Sequence, residues 1–210
     1  MHPDAHAPLI DSPLIDSPPQ ETMTEQDVYK LALQLAQDIA PRYGLDVVKL
    51  ARFTTAVVNV ETGRTYNPSL KNKTSSARGL MQVLSCTQRW MEEKLSLPFA
   101  PQSVALGSSC KQYAKKNPPQ VSPDKDRMYE PGYNMRIGMM YAAYQLKRYG
   151  QDERKAAHAY NQGSFNGSSA GSAYASTVLS RKSGIDFAAH ERSFQDVYAE
   201  ASRTRHYEFR

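Results

Sequence analysis

The sequence predicts a mostly α-helical fold with little or no sheet. Three observations carry that expectation. Apolar residues recur every three or four positions in successive segments, the spacing of one helix face. Glycine or proline closes those segments, as helix ends require. No segment between turn signals alternates apolar and polar residues in the manner of a half-buried strand. A chain of 210 residues suits one domain with appendages and is long enough to bury a core without staples.

Residues 1–22 carry PLIDS twice, Pro8 to Ser12 and Pro13 to Ser17, followed by Pro18 and Pro19. Proline fixes φ and has no N–H, so such a repeat continues neither a helix nor a central strand. An extended tail is expected, either a solvated leader or a docking peptide for a virion or secretion-machinery partner. Residues 23–180 form the expected domain. Thr24 is an N-cap candidate for a helix with Val28, Leu31, Ala32, Leu35, Ala36 and Ile39 on its apolar face, closed by Pro41 and Gly44. Val47 to Glu61 is rich in β-branched residues and taken alone suits a strand. Its length and the stripe Val47, Leu50, Ala51, Thr54, Val57, Val58, Glu61 favour a helix, which brings Glu61 to the end of a buried face.

Residues 98–131 mix six prolines with Lys111, Lys115, Lys116, Lys125 and Arg127 and read as a long surface excursion. Helices are expected over Asn134 to Tyr149, stopped by Gly150, and over Glu153 to Asn161, stopped by Gly163. Met135, Met139 and Met140 with Tyr141 and Tyr144 fall at helical spacing and are read as core filler. Residues 181–210 form a basic C-terminal extension with a helix around Phe187 to Ala201.

Lys and Arg number 26 against 21 Asp and Glu, a net charge of +5. That excess suits any polyanion and selects none. No helix-turn-helix, zinc-finger or RNP signature is present, so no nucleic-acid partner is expected. Apolar runs fall far short of the roughly 20 residues of a membrane span, and no transmembrane segment is expected. The N-terminus has acids and prolines where an export signal would need a basic patch and an apolar core, so no export signal is expected there. Cys86 and Cys110 belong to no CxxC or Cys/His cluster, and His158 has no second ligand at metal spacing. No metal and no cofactor are expected. Free, partly buried thiols are the expectation, with one disulfide as the alternative.

Three short strings come in order: Glu61-Thr62 at a helix end, Gly79-Leu80-Met81-Gln82, and Ala159-Tyr160-Asn161-Gln162-Gly163. Together they resemble the soluble lytic transglycosylase (SLT) family, which carries Glu-Ser, Gly-Leu-Met-Gln and Ala-Tyr-Asn-x-Gly. The likeness spans about Leu45 to Leu179. It is strongest from Glu130 to Gly163, where Glu130-Pro131, Asn134, Gly138, Tyr141 and the Gly150 stop fall into the family pattern. Tyr174 with Val178-Leu179 resembles the family's late tyrosine helix. Thr62 stands for the usual serine, Leu84-Ser85 for Met-Pro, and the excursion before Glu130 is larger than usual. The resemblance implies a lysozyme-like helical domain of the goose-lysozyme/SLT type that acts on peptidoglycan glycan strands in the periplasm.

Residue chemistry supports an acid at position 61. Breaking a glycosidic bond near neutral pH needs a carboxyl still protonated there, and an apolar setting supplies one by disfavouring the ion. The competing reading is an inert glutamate at a frayed helix end. Ordinary glycosidases use two carboxylates, but residues 63–77 contain no Asp or Glu. That favours one-carboxylate cleavage without water. The resemblance implies 1,6-anhydro-N-acetylmuramic acid ends, formed with help from the substrate's N-acetyl group. Asp126 and Glu130 could fold back as a second carboxylate, which keeps a lysozyme-type hydrolase as the alternative, beside an inactive glycan-binding virion component. A phage enzyme for wall penetration or lysis is the favoured setting.

Gln82 offers donor and acceptor to glycan amides, or is an exposed helix glutamine. Gly79 allows close backbone approach of a sugar, or starts a helix. Met81 is carried as a binding residue by the resemblance. Tyr160 can aim its hydroxyl at the sugar or at Glu61, Asn161 more readily fixes the turn at the helix end, and Ser75 and Ser76 can hydrogen-bond the carboxylate or decorate a loop. Tyr174 is carried by the resemblance alone.

Overall fold

The computed structural model describes residues 22–96 and 126–195. The PLIDS repeat, most of the Pro- and Lys-rich excursion and the final residues lie outside that range. Helix α1, Glu25–Tyr43, starts with a reciprocal cap. Thr24 Oγ1 accepts the Asp27 N–H at 3.1 Å and the Asp27 carboxylate accepts the Thr24 N–H at 3.0 Å, which satisfies two N-terminal donors at once. Pro41 sits within the last turn, and Gly44, at φ 67°, is the residue that ends the helix.

Helix α2, Val47–Glu61, is the central element. From Leu50 to Asn59 every residue except Arg52 is buried, because α1 packs on one side, α6 on another, and α4 touches a third. A helix covered all round needs no polar stripe, which explains the β-branched run that also suited a strand.

After α2 the chain runs irregularly to Leu84. Lys71, Arg78 and Val83 form isolated antiparallel bridges there, and the described residues contain no longer strand. Helix α3 is Ser85–Ser96. A short 3-10 helix, Arg127–Tyr129, leads into α4, Pro131–Arg148, which begins before the expected Asn134 because proline suits the first helical position. Helix α5 is Glu153–Gln162, ended by Gly163 at φ 82°. Helix α6 is Ser169–Gly184, N-capped by Ser168, and residues 187–195 are helical again (α7).

Met135, Met139 and Met140 are buried in the core, as expected of filler. The segment after residue 184 packs back on α1. Ile185 and Phe187 are buried, the Tyr29 and Phe187 rings lie 4.9 Å apart, and Glu191 accepts from the Tyr29 hydroxyl at 2.5 Å and from Arg52 at 2.9 Å. Cys86 is disulfide-bonded, against the free-thiol expectation. Spacing alone held nothing to decide that pairing, and Cys110 lies outside the described residues.

Candidate active site

Glu61 closes α2, and its carboxyl is largely withdrawn from solvent while the residue keeps an opening to a cleft. Burial pushes that carboxyl up from an ordinary 4.5 to about 7. One contact opposes the push: the Tyr174 hydroxyl, carried in by α6, donates to Glu61 Oε1 at 2.5 Å, and a donor to the ionised form lowers a carboxyl pKa. Burial wins. Tyr174 itself is driven well above its ordinary range by the same desolvation and by the neighbouring carboxylate, so it remains a donor.

The cleft has a volume of about 280 Å³ and is lined by Glu61, Asn72, Ala77, Gln82, Val83, Leu84, Thr87, Tyr141, Tyr160 and Asn161. Glu61 is the sole carboxylate among these described lining residues. Asp126 and Glu130 do not fold back as a second one. Asp126 pairs with Arg78 and caps the 3-10 helix, while Glu130 is exposed and faces Arg127 at 3.4 Å. A larger cavity of about 550 Å³ lies at the far end of α2, beside Lys49, Arg52 and Lys182. Arg52 is already paired with Glu191 and Lys182 with Glu153, so that cavity offers weaker chemistry than the cleft.

Gly79 to Gln82 is a tight turn between Arg78 and Val83, not the start of a helix. Asn134 on α4 holds it from below. Its Oδ1 accepts the Met81 N–H at 2.8 Å, and its Nδ2 donates to the carbonyls of Arg78 at 2.9 Å and Met128 at 3.0 Å. Gly79 therefore makes its close approach to protein. A Cβ there would lie 2.1 Å from Asn134 Nδ2 and 2.3 Å from the Met128 carbonyl, and φ is +76°, a conformation that disfavours side chains. Met81 is fully buried, its thioether against Gly138, so its side chain serves the core.

The Tyr160 hydroxyl also goes elsewhere than expected. It donates to the Met81 carbonyl at 2.9 Å, tying α5 to the turn, while its ring lies 5.3 Å from that of Tyr141. Tyr141, read as filler, borders the cleft. Ser75 Oγ accepts the Ala77 N–H and Ser76 Oγ the Ser85 N–H; both shape the loop, and neither hydrogen-bonds Glu61. Asn161 is helical and exposed on the cleft, because Gly163 makes the turn assigned to it. Gln82 adopts φ 44°, an uncommon value for a non-glycine residue, and its Nε2 is spent on the carbonyls of Leu70 and Gly79.

Sequence reasoning missed Asn72 and Thr87, which border the cleft. Nothing in their local sequence marks them, since the loop fold and α3 bring them in. The model of the Transglycosylase SLT domain family matches residues 49–177. That range runs from the first turn of α2 to within α6 and includes every residue named in the cleft. Comparison with curated proteins and with solved structures gives no match.

Proposed function

The chain belongs to the transglycosylase SLT family, lysozyme-like peptidoglycan lytic transglycosylases. From that premise we propose that it cleaves the β-1,4 bond between N-acetylmuramic acid and N-acetylglucosamine without water, leaving 1,6-anhydro ends. One observation carries this reading: Glu61 is the only carboxylate lining the described cleft, and burial holds its proton to about pH 7.

Glu61 donates that proton to the glycosidic oxygen as the C1–O bond breaks, and the substrate's N-acetyl carbonyl covers C1. The resulting carboxylate then takes the proton of the C6 hydroxyl while O6 bonds to C1 and displaces the N-acetyl oxygen, which returns to a carbonyl. Atoms balance with no water consumed. The Tyr174 hydroxyl, already on Oε1, steadies the charge between the two proton transfers. A hydroxyl is neutral, so it does not make the proton unavailable as a nearby cation would. Gln82 keeps its amide oxygen for an N–H of the glycan, since its nitrogen is engaged inward. Asn72, Thr87 and Asn161 add polar groups along the cleft. Gly79 and Met81 fix the turn that presents Gln82, and Ser75 and Ser76 hold the adjoining loop.

Mass spectrometry of muropeptides released from purified sacculi tests the reading. Muramic ends lighter than the hydrolysed form by one water are expected. Reducing muramic ends would establish lysozyme-type hydrolysis instead, and intact sacculi would leave a glycan-binding component.

A further inference from the structure

We propose that His158, Asn166 and Gly171 form a seat that sets the height of α6 against α5 and thereby delivers the Tyr174 hydroxyl to Glu61. The proposal rests on the reading of Glu61 as the reacting acid and assigns positioning residues that do not line the cleft.

His158 is buried on α5 at 1 % exposure. Its Nε2 lies 2.9 Å from Asn166 Oδ1 and accepts the Asn166 N–H at 3.4 Å, so Asn166 grips the ring through both side chain and backbone, and Nδ1 is buried with no partner among the described residues. The Phe165 ring packs edge-on at 4.9 Å, so the imidazole is confined. The same Asn166 oxygen accepts the Ser168 N–H at 3.1 Å, and Ser168 Oγ accepts the Gly171 N–H at 3.2 Å as the N-cap of α6. The loop, the cap and the imidazole are thus one connected unit.

Gly171 closes the unit by having no side chain. A Cβ there would lie 2.5 Å from both Cε1 and Nε2 of His158, whereas carbon atoms in contact settle at about 3.5 Å or more. The ring cannot retreat, so a larger residue would lift the first turn of α6 by about 1 Å. Tyr174 follows three residues later on the same helix face. Its hydroxyl meets Glu61 at 2.5 Å, and a lift of that size takes it beyond useful hydrogen-bond length. The titratable groups facing Glu61 are Tyr174 from α6 and Tyr160 from α5; Val57 and Val58 on its own helix are apolar, and no lysine, arginine or histidine lines the described cleft.

The test follows the Glu61 carboxyl by carbon NMR as the full chain is titrated, beside the pH profile of muropeptide release. Tyr174→Phe should raise the Glu61 midpoint by about one pH unit, the worth of one hydrogen bond to a charged group. Gly171→Ala should give most of that rise and move the basic limb of the activity profile with it. Added to Tyr174→Phe, it should do nothing more. Asn166→Ala, which loosens the seat without crowding it, should give a smaller rise and decides the matter if Gly171→Ala does not fold. A wild-type midpoint in the folded variants, or shifts that add in the double variant, would overturn the proposal. Turnover surviving in Glu61→Gln would instead sink the mechanism while the midpoints still report on the seat.

Discussion

The Glu61 corner and the Arg78 corner treat a covered carboxylate in opposite ways. At Arg78 the guanidinium side chain is 6 % exposed and its Asp126 partner 10 %. The remaining donors go to the Ser76 carbonyl, Ser85 Oγ and Gln88 Oε1. Each Arg78 side-chain nitrogen and each Asp126 carboxylate oxygen has a partner among the described residues, and the result is a brace between the cleft loop, α3 and the 3-10 helix. At Glu61 the carboxyl meets a neutral hydroxyl and no cation lines the described cleft, and its proton stays until about pH 7. Burial alone does not separate a structural acid from a reactive one. The partner does, because a cation commits the carboxylate permanently and a hydroxyl leaves it free to cycle.

The largest expected effect separates the two corners by chemistry. Glu61→Gln keeps shape and hydrogen bonding and should lower muropeptide release by about 10³-fold, the scale of a lost general acid, with glycan binding in a sedimentation assay retained. Asp126→Asn should act on turnover only as far as it loosens the fold. Equal loss of turnover from both, in folded protein, would erase the distinction.

The next effect separates them by stability. Arg78→Met leaves Asp126 uncompensated under cover and should cost about 3 kcal/mol in urea unfolding at pH 7, the scale of a broken buried pair. A change within about 0.5 kcal/mol would mean that water reaches the pair and that the loop is held by other bonds.

The Glu61 corner was the more legible of the two in the sequence. Helical spacing placed the glutamate at the end of a buried stripe, and short strings on separate segments pointed at the same cleft. What spacing could not supply was the direction of side-chain groups. Tyr160 reads as able to aim its hydroxyl at the sugar or at the acid, yet it is spent on the Met81 carbonyl, while Tyr174 reaches Glu61 across 113 residues of sequence. Gly79 reads as room for a sugar and proves to be room for Asn134. At the Arg78 corner, Asp126 and Glu130 were open as a second carboxylate because no local pattern shows that a guanidinium 48 residues away already holds Asp126. Periodicity is a local signal; hydrogen-bond partners are fixed by tertiary packing.

The smallest effect is also the sharpest contrast, because its sign reverses between the corners. Glu61 has a folded pKa of about 7 against an ordinary 4.5, so its protonated form is the one the fold accommodates. Below about pH 4.5 both folded and unfolded chains hold the proton and this contribution is fully present. Between the two values the unfolded chain has released a proton that the folded chain retains, and stability falls as pH rises. Above about 7 the loss is complete. A displacement of roughly 2.5 pH units, at about 1.4 kcal/mol each, sets a ceiling of about 3 kcal/mol, and the opening to the cleft reduces it to about 2. Glu61→Gln cannot ionise and should escape this fall. Urea midpoints taken at pH 4 and pH 8 should therefore show the variant gaining about 2 kcal/mol on the wild type across the interval, an inactive protein made firmer under alkaline conditions. Asp126→Asn should show no such gain, since it removes half of an ion pair. Parallel curves for Glu61→Gln and wild type would mean that the carboxyl is hydrated in the resting cleft, and the contrast between the corners would then lie in their partners alone.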